Sequence, residues 1–321
     1  MKTDKRRHTI MNQHIRTIAI LGAGAVGSYL VMGLSDKYKE NLWVIADGER
    51  KDRLAKNGLN INDKVYSLHI KTPAEAHGVD LLFVCTKYTQ LRDSLPDIET
   101  ITDKHTMVVS LLNGVDSEEL IGQRIGMEHM IYSLIRIASH RIGNSIHFSL
   151  PKGYNGIYIG IPNQPACQDP RLAAIAEIFA DTPVTLHLSD DILLDMWDKF
   201  GLNIARNLPQ AILGVGMQAY DDSTYMNAIM RQMRHEVVLV ANAKGIPLKE
   251  EFKAGKCKPS QRYSTLQDLD AHRHTEIDMF SGALVRMGKE LGIECPYNEM
   301  TYNLIKVLEE KNDGKFDYPE E

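Results

Sequence analysis

A short apolar run, Arg16-Thr-Ile-Ala-Ile-Leu21, ends on Gly22-Ala23-Gly24-Ala25-Val26-Gly27 and passes directly into an apolar-periodic stretch that reaches Leu34. A strand, a G-x-G-x-x-G turn and a helix in that order admit few architectures. The first glycine permits the tight turn off the strand, the second lets the backbone approach a pyrophosphate, and the third allows close packing of helix on strand. The amides at the helix N-terminus then face the phosphates. A tight turn of small residues with no ligand would use the same letters. Its position between strand and helix favours dinucleotide binding.

The remainder of the first half repeats the alternation. Strand-like runs at 41–46, 80–86, 106–111 and 130–135 are separated by helical or loop segments, which implies βαβ units and a mostly parallel sheet. Two further runs, 145–150 and 156–161, lie close together with Gly and Pro turns and read as antiparallel additions at the sheet edge. From Ser189 the strand pattern stops. Helical periodicity covers 190–213, 225–244, 275–291 and 294–310. The chain thus reads as α/β: a flexible tail over 1–14, an N-terminal Rossmann-type doubly wound domain over 15–188, and a C-terminal all-helical domain over 189–321 that supplies substrate and catalytic groups.

Composition narrows the function. The 37 Lys and Arg against 42 Asp and Glu give a net charge of −5, and no basic stripe suggests nucleic acid. No apolar run approaches the ~18 residues of a membrane span. Cys85, Cys167, Cys257 and Cys295 are too scattered for a zinc site or a disulfide framework. The basic first residues lack the apolar core of a signal peptide, so a cytoplasmic enzyme acting on a small molecule is the expectation.

Asp47 closes the second strand twenty positions after Gly27, where an acid would bond the adenine ribose of NAD(H). Arg50, Lys51 and Arg53 follow at once and could embrace the 2′-phosphate of NADP(H), or form an ordinary solvated charge run. The residues themselves leave the two cofactors balanced.

In the second half, Lys199, Asn203 and Asn207 stand at i, i+4 and i+8 among Met196, Trp197, Phe200, Leu202 and Ile204. Each α-helical step of four residues turns by ~400°, which puts all three within a ~80° arc. A cation beside two amides in apolar surroundings suits carbonyl reduction: it polarises the C=O and supplies a proton to the developing alkoxide. A snorkelling lysine beside two exposed asparagines would give the same pattern. Glu276 reads as lying in the first turn of the third helix, where the helix dipole favours a carboxylate whether or not it meets a substrate hydroxyl. Ser264 offers a hydroxyl, or simply an N-cap for a short helix. Asn113 and Lys87 follow two parallel strands at their carboxyl ends, where ligands of such sheets bind.

Several of these stretches, taken together, resemble the ketopantoate reductase (2-dehydropantoate 2-reductase) family. They are Ile18-Ala-Ile-Leu-Gly-Ala-Gly-Ala-Val-Gly27, Asp80-Leu-Leu-Phe-Val-Cys-Thr-Lys87, Leu111-Leu-Asn-Gly114 and Trp197-Asp-Lys-Phe-Gly-Leu-Asn203 with Asn207. Ser264-Thr-Leu-Gln-Asp-Leu-Asp-Ala-His-Arg-His-Thr-Glu-Ile-Asp278 and Gly292-Ile-Glu-Cys-Pro-Tyr-Asn298 complete the set, in family order. The resemblance implies NADPH-dependent reduction of ketopantoate to pantoate, a step toward pantothenate and coenzyme A, and a possible homodimer. It implies that Lys199 is the catalytic lysine with Glu276 as its partner, and that Gly22–Gly27, Asp47, Arg50, Lys87 and Asn113 serve the cofactor. Asn203, Asn207 and Ser264 would hold the 2-oxo acid. Two positions depart from the family pattern: Asp47 stands where an arginine is frequent, and Gly216-Met217-Gln218 stands where the family has Pro-Asn-Gly. Reduction of another branched 2-oxo acid, β-hydroxyacid dehydrogenation and non-catalytic cofactor sensing are the competing readings.

Overall fold

The computed structural model describes residues 14–149, 155–251 and 258–318. The expected tail therefore lies outside the described residues, His14 excepted. Among the described residues twelve strands run in chain order: β1 (Ile18–Leu21), β2 (Leu42–Ile45), β3 (Leu59–Ile61), β4 (Lys64–Tyr66), β5 (His69–Lys71), β6 (Leu81–Val84), β7 (Met107–Ser110), β8 (Met130–Arg136), β9 (Ala138–Ile142), β10 (Ser145–Ser149), β11 (Gly156–Gly160) and β12 (Leu186–Leu188). The helices are α1 (Ala25–Tyr38), α2 (Gly48–Asn57), α3 (Leu91–Ile101), α4 (Ser117–Ile125), α5 (Pro170–Phe179), α6 (Ile192–Leu202), α7 (Leu208–Leu213), α8 (Ala219–Asp222), α9 (Thr224–Ala243), α10 (Ser264–Asp270), α11 (Ser281–Leu291) and α12 (Pro296–Asn312). The backbone divides into two compact units. One holds Met1–Thr86, Gln90–Leu112 and Ser117–Ile192; the other holds Lys87–Thr89, Asn113–Asp116 and Leu193–Glu321.

The first unit is built on an eight-stranded sheet of order β12-β11-β8-β7-β6-β1-β2-β5. Every pair from β8 to β5 is parallel, β11 runs antiparallel to β8, and β12 is parallel to β11 at the edge. All residues of β1, β6 and β7 are buried, as unbroken apolar runs covered on both faces should be. Ile18, Ile20, Leu81, Phe83, Val109 and Ile131 form a core with Leu30 and Leu34 of α1 and with Leu172 and Ile175 of α5. Phe83 meets Phe179 edge-on, with ring centroids 6.0 Å apart.

The expected antiparallel edge is half right. Gly156–Gly160 does extend the main sheet, but β10, which covers the run expected at 145–150 up to Ser149, pairs elsewhere. The turn at Gly143 (φ +56°) folds β9 onto β10, and this hairpin joins the β3–β4 hairpin through Ile146 and Ile61 in a separate sheet of order β4-β3-β10-β9. Leu150 lies outside the described residues. Strands of three residues such as β3, β4 and β5 are too short to show a period of two.

Helix α5 begins on a well-made cap. The Asp169 carboxylate accepts from the backbone amide of Arg171 at 2.9 Å and grips the Arg171 guanidinium at 2.7–3.2 Å. Burial alone would raise its pKa; the Arg171 hydrogen bonds and charge outweigh this and lower it below the ordinary 3.8. The folded state thus binds fewer protons than the unfolded chain just below that value, and the stabilisation present above pH 3.8 is lost as pH falls through the depressed pKa. Asp169→Asn keeps an N-cap acceptor but loses the charge pairing with Arg171, so it should lower stability at neutral pH by about 1 kcal/mol and flatten the acid limb of a stability–pH curve measured by urea unfolding. An unchanged acid limb would remove this carboxylate from the balance.

The second unit is helical. Trp197 and Phe200 of α6 pack edge-on at 5.6 Å, Phe200 meets Phe280 at 6.4 Å, and all three are buried. Helix α12 starts at Pro296, and the buried Glu236 carboxylate of α9 accepts from the amides of Tyr297 (2.8 Å) and Asn298 (2.9 Å) at its N-terminus. The Asn298 side chain donates to the same carboxylate and accepts from Ser281 at the start of α11. The closing motif Gly292–Asn298 is therefore a helix-joining device. The helix expected over 275–291 starts only at Ser281. Residues 276–280 form a bend and turns, in which the Glu276 carbonyl accepts from the amides of Met279 and Phe280. Among the described residues no helix is long and apolar enough to cross a membrane, and no group of three or more His, Cys, Asp or Glu is arranged to hold a metal.

Candidate active site

In the first unit, two of the three glycines are sterically required and the third leaves the backbone open. Gly22 has φ +110°, and a Cβ there would lie 2.6 Å from the Cys85 carbonyl carbon. A Cβ at Gly27 would lie 1.9 Å from the Gly22 carbonyl oxygen, so α1 sits directly on the turn. At Gly24 nothing stands within 4 Å: the backbone there is open to an incoming group. Gly24 is the N-cap of α1 and brings no capping side chain, and the first turn holds no acid. Amide donors and space coincide, as a pyrophosphate needs. Ala23, Ala25 and Val26 are half-buried between these positions.

Asp47 caps α2, accepting from Gly48 N at 2.7 Å, and is exposed. Arg50 and Arg53 are exposed on α2, while Lys51 pairs with Glu75 at 3.1 Å. Both the acid and the cations expected at the adenosine end are thus accessible.

In the second unit, Lys199, Asn113 and Glu276 form one line of polar contacts. The Lys199 Nζ donates to Asn113 Oδ1 at 2.8 Å, and Asn113 Nδ2 donates to Glu276 Oε2 at 3.3 Å. An amide is the group that can do this, offering an acceptor to the cation and a donor to the carboxylate. All three are half-buried. Gly114 beside Asn113 (φ +94°) turns the chain where a Cβ would meet Met279 at 2.7 Å, so this loop packs against the turn that carries Glu276. Lys87 stands 3.6 Å from Asp268 Oδ2 and is half exposed; Asp268 also accepts from Arg273 at 2.8 Å.

The turn bearing Glu276 is fixed by a residue that carries no mark in the sequence. Glu309 of α12, buried, accepts from both the amide and the hydroxyl of Thr275 at 2.7 Å. Lys306 lies 3.0 Å from Glu309 and 3.5 Å from Asp278, and Tyr302 donates to Asp278 at 2.8 Å. These contacts replace the helical turn expected around Glu276. A separation of 34 residues leaves no local signal.

The Lys199 line does not continue as regular α-helix. Asn203–Asn207 is a π turn between α6 and α7. A π turn closes its hydrogen bonds over one more residue than an α turn, so it rotates less per residue, and Asn207 is swung back toward the direction of Asn203. Asn203 is half-buried, whereas Asn207 is 2% exposed. Its Oδ1 accepts from Thr265 N and its Nδ2 donates to Ser264 Oγ, both at 3.3 Å. Asn207 thus caps α10, the task that the sequence left open to Ser264, and the Ser264 hydroxyl remains at the exposed start of that helix. Met217 is buried with Tyr220 and Met226 in a small apolar cluster.

Two family models match. Residues 18–164 match Ketopantoate reductase PanE/ApbA, and residues 191–309 match Ketopantoate reductase PanE/ApbA C terminal. The chain is 27% identical over 308 residues to a 2-dehydropantoate 2-reductase of Streptococcus pyogenes, covering 91% of this chain and 97% of the relative. It is also 27% identical to one of Pyrococcus horikoshii, over 92% of this chain and 99% of the relative. Among solved structures, a PanE/ApbA family ketopantoate reductase from Ralstonia eutropha aligns with a TM-score of 0.75 at 26% identity. D-mandelate dehydrogenase, in its ternary structure with NADH and anilino(oxo)acetate, aligns with a TM-score of 0.79 at 26% identity. Each alignment covers 92% of this chain and 99% of the other.

Proposed function

This chain belongs to the ketopantoate reductase family, and on that premise we propose that it reduces a 2-oxo acid to the 2-hydroxy acid with a nicotinamide dinucleotide, ketopantoate being the first substrate to assign and NADPH the first donor. The observation that carries this reading is the Lys199–Asn113–Glu276 line in the second unit. The glycine turn of the first unit fits the cofactor: open backbone at Gly24, helix-terminal amides without a capping side chain, and no acid in the first turn.

The bound nicotinamide supplies the hydride, and the protein's own groups handle charge and proton. Lys199, as ammonium, polarises the substrate carbonyl and gives its proton to the oxygen as negative charge develops there. Asn113 holds the Lys199 amine by one acceptor and orients it toward the carbonyl. Glu276, reached through Asn113, completes the polar line and can accept from the product hydroxyl. Asn203 and the exposed Ser264 hydroxyl are the polar groups proposed to hold the acid's oxygens. Arg50 and Arg53 are the cations proposed for a 2′-phosphate, and Asp47 the group for a ribose hydroxyl.

A second reading, a dehydrogenase for a bulkier 2-hydroxy acid, is favoured by the D-mandelate dehydrogenase alignment and by the buried, apolar Met217. One spectrophotometric experiment separates these. Ketopantoate, benzoylformate and straight-chain 2-oxo acids are each offered with NADPH and with NADH, and loss of reduced-cofactor absorbance is followed. Turnover of ketopantoate well above the others supports the first assignment. Preference for benzoylformate moves the chain to the second, and cofactor binding with no oxidation by any acid would overturn both.

A further inference from the structure

Arg206 is a largely buried cation with no ion-pair partner among the described residues. It is 8% exposed; its Nε is sealed from solvent without an acceptor, whereas its two terminal nitrogens are not sealed and have no acceptor among the described residues. It lies against the Tyr220 ring, whose centroid is 5.2 Å from Cζ. The other arginine buried among the described residues is treated differently: Arg234, 1% exposed, has Asp198 at 2.9 Å and the Lys249 carbonyl at 2.8 Å. Partly buried Arg171 has the Asp169 fork. A cation–π contact is worth about 0.5–2 kcal/mol, and the sealed Nε has no acceptor to offset its burial. The accessible end of the guanidinium is left for an anion from outside the chain.

Its setting identifies the anion. Arg206 lies in the π turn that starts four residues after Lys199 and includes Asn203, and it precedes Asn207, whose amide is bonded to Ser264 and Thr265. The Tyr220 hydroxyl donates to the Arg206 carbonyl at 2.5 Å, fixing that residue's backbone, and Tyr263, next to Ser264, packs on the Tyr220 cluster. With Asn207 consumed by the cap of α10, the groups left for a carboxylate on Asn203 and Ser264 are neutral, and Lys199 is engaged with the carbonyl oxygen. A planar guanidinium matches a carboxylate with two parallel hydrogen bonds, which an ammonium cannot do.

We infer that Arg206 is the carboxylate-binding residue of this site, pairing with the acid group of the 2-oxo acid and excluding uncharged carbonyl compounds. The identity of the acid rests on the function proposed above; the anion site itself does not. The test is a calorimetric titration of oxamate, an unreactive 2-oxo acid mimic, into the full chain with NADP(H) or NAD(H) present, set beside ethyl oxamate, its uncharged ester. The wild type should bind oxamate and discriminate strongly against the ester. Arg206→Met should weaken oxamate about a hundredfold and abolish the discrimination, while Arg206→Lys keeps part of both. In turnover, the Met variant should raise KM for the acid by a similar factor with kcat changed only a few-fold. Equal binding of oxamate by wild type and Met variant, equal binding of acid and ester by the wild type, or no oxamate binding by the wild type would each overturn the inference. Should the Met variant fail to fold, the Lys variant and the acid–ester comparison decide it. Arg206-dependent oxamate binding without turnover of any 2-oxo acid would sink the reductase reading and keep the anion site; turnover with an unchanged KM would do the reverse.

Discussion

Lys199→Ala should cut turnover of the 2-oxo acid by ~10²–10⁴ while leaving nicotinamide dinucleotide affinity near the wild-type value, because it removes the group that polarises the carbonyl and delivers the proton and touches none of the glycine turn. Lys199→Arg separates the two halves of that role. Arginine keeps the positive charge and can still bond Asn113, yet it holds its proton far more firmly than lysine and is a poor proton donor. The Arg variant should therefore bind substrate almost as well as wild type and still lose most of kcat. Asn113→Ala is the complementary change. It breaks the amide link that ties Lys199 to Glu276 (2.8 and 3.3 Å) without deleting either charge, so its loss should be smaller than that of Lys199→Ala. Turnover by the Lys199→Ala protein at a near wild-type rate would show that the proton comes from elsewhere and that the assignment is wrong.

The range of each interaction decides how much of it is legible in the sequence. The β1–turn–α1 unit is legible because its constraint is local: three glycines fall within six residues, the backbone leaves no room for a Cβ at Gly22 or Gly27, and at Gly24 it stands open. The buried parallel strands are legible as unbroken apolar runs. Lys199 and Glu276 can be singled out by residue type, but the amide between them comes from a loop 86 residues from Lys199 and 163 from Glu276, and no periodicity encodes that. The π turn is invisible for a related reason. Asn203 and Asn207 suit an α-helix by spacing, and only the capping of α10 by Asn207, 58 residues from Thr265, reveals what the turn holds in place. The helix expected from Thr275 starts only at Ser281, with the Thr275 amide and hydroxyl bonded instead to Glu309, and the dipole argument for Glu276 fails with it. Arg206 does leave a sign: a charge inside the apolar run Ile204-Ala-Arg-Asn-Leu208 is costly without a reason.

Gly201→Ala should destabilise the second unit by about 2–4 kcal/mol, against the usual expectation for a glycine inside a helix, where alanine is better by about 1 kcal/mol. Gly201 lies in α6, two residues beyond Lys199. A Cβ there would stand 2.1 Å from Arg234 Nη1, 3.1 Å from its Cζ and 3.3 Å from Val237 Cγ1. The Arg234 guanidinium has nowhere to retreat: it is 1% exposed and held by the Asp198 carboxylate, the Asp198 carbonyl and the Lys249 carbonyl. Burial pushes its pKa down and Asp198 works against that, so the charge is tolerated only while this pair is intact. The added methyl either displaces α6 or breaks the pair, and breaking a buried pair costs about 3–5 kcal/mol, from which the helix-propensity gain of about 1 is subtracted. Gly24→Ala is the control, since nothing lies within 4 Å of that Cβ, and without cofactor its urea midpoint should match wild type. The double change Gly201→Ala with Arg234→Met puts an apolar chain where the fork had been and lets Asp198, a third exposed, turn to water. It should be less destabilised than the two single changes added together, and the double-mutant cycle measures by how much. Strict additivity, or a Gly201→Ala protein as stable as wild type, would mean that the arginine does not pass against that glycine and that the Lys199 helix is held by other contacts.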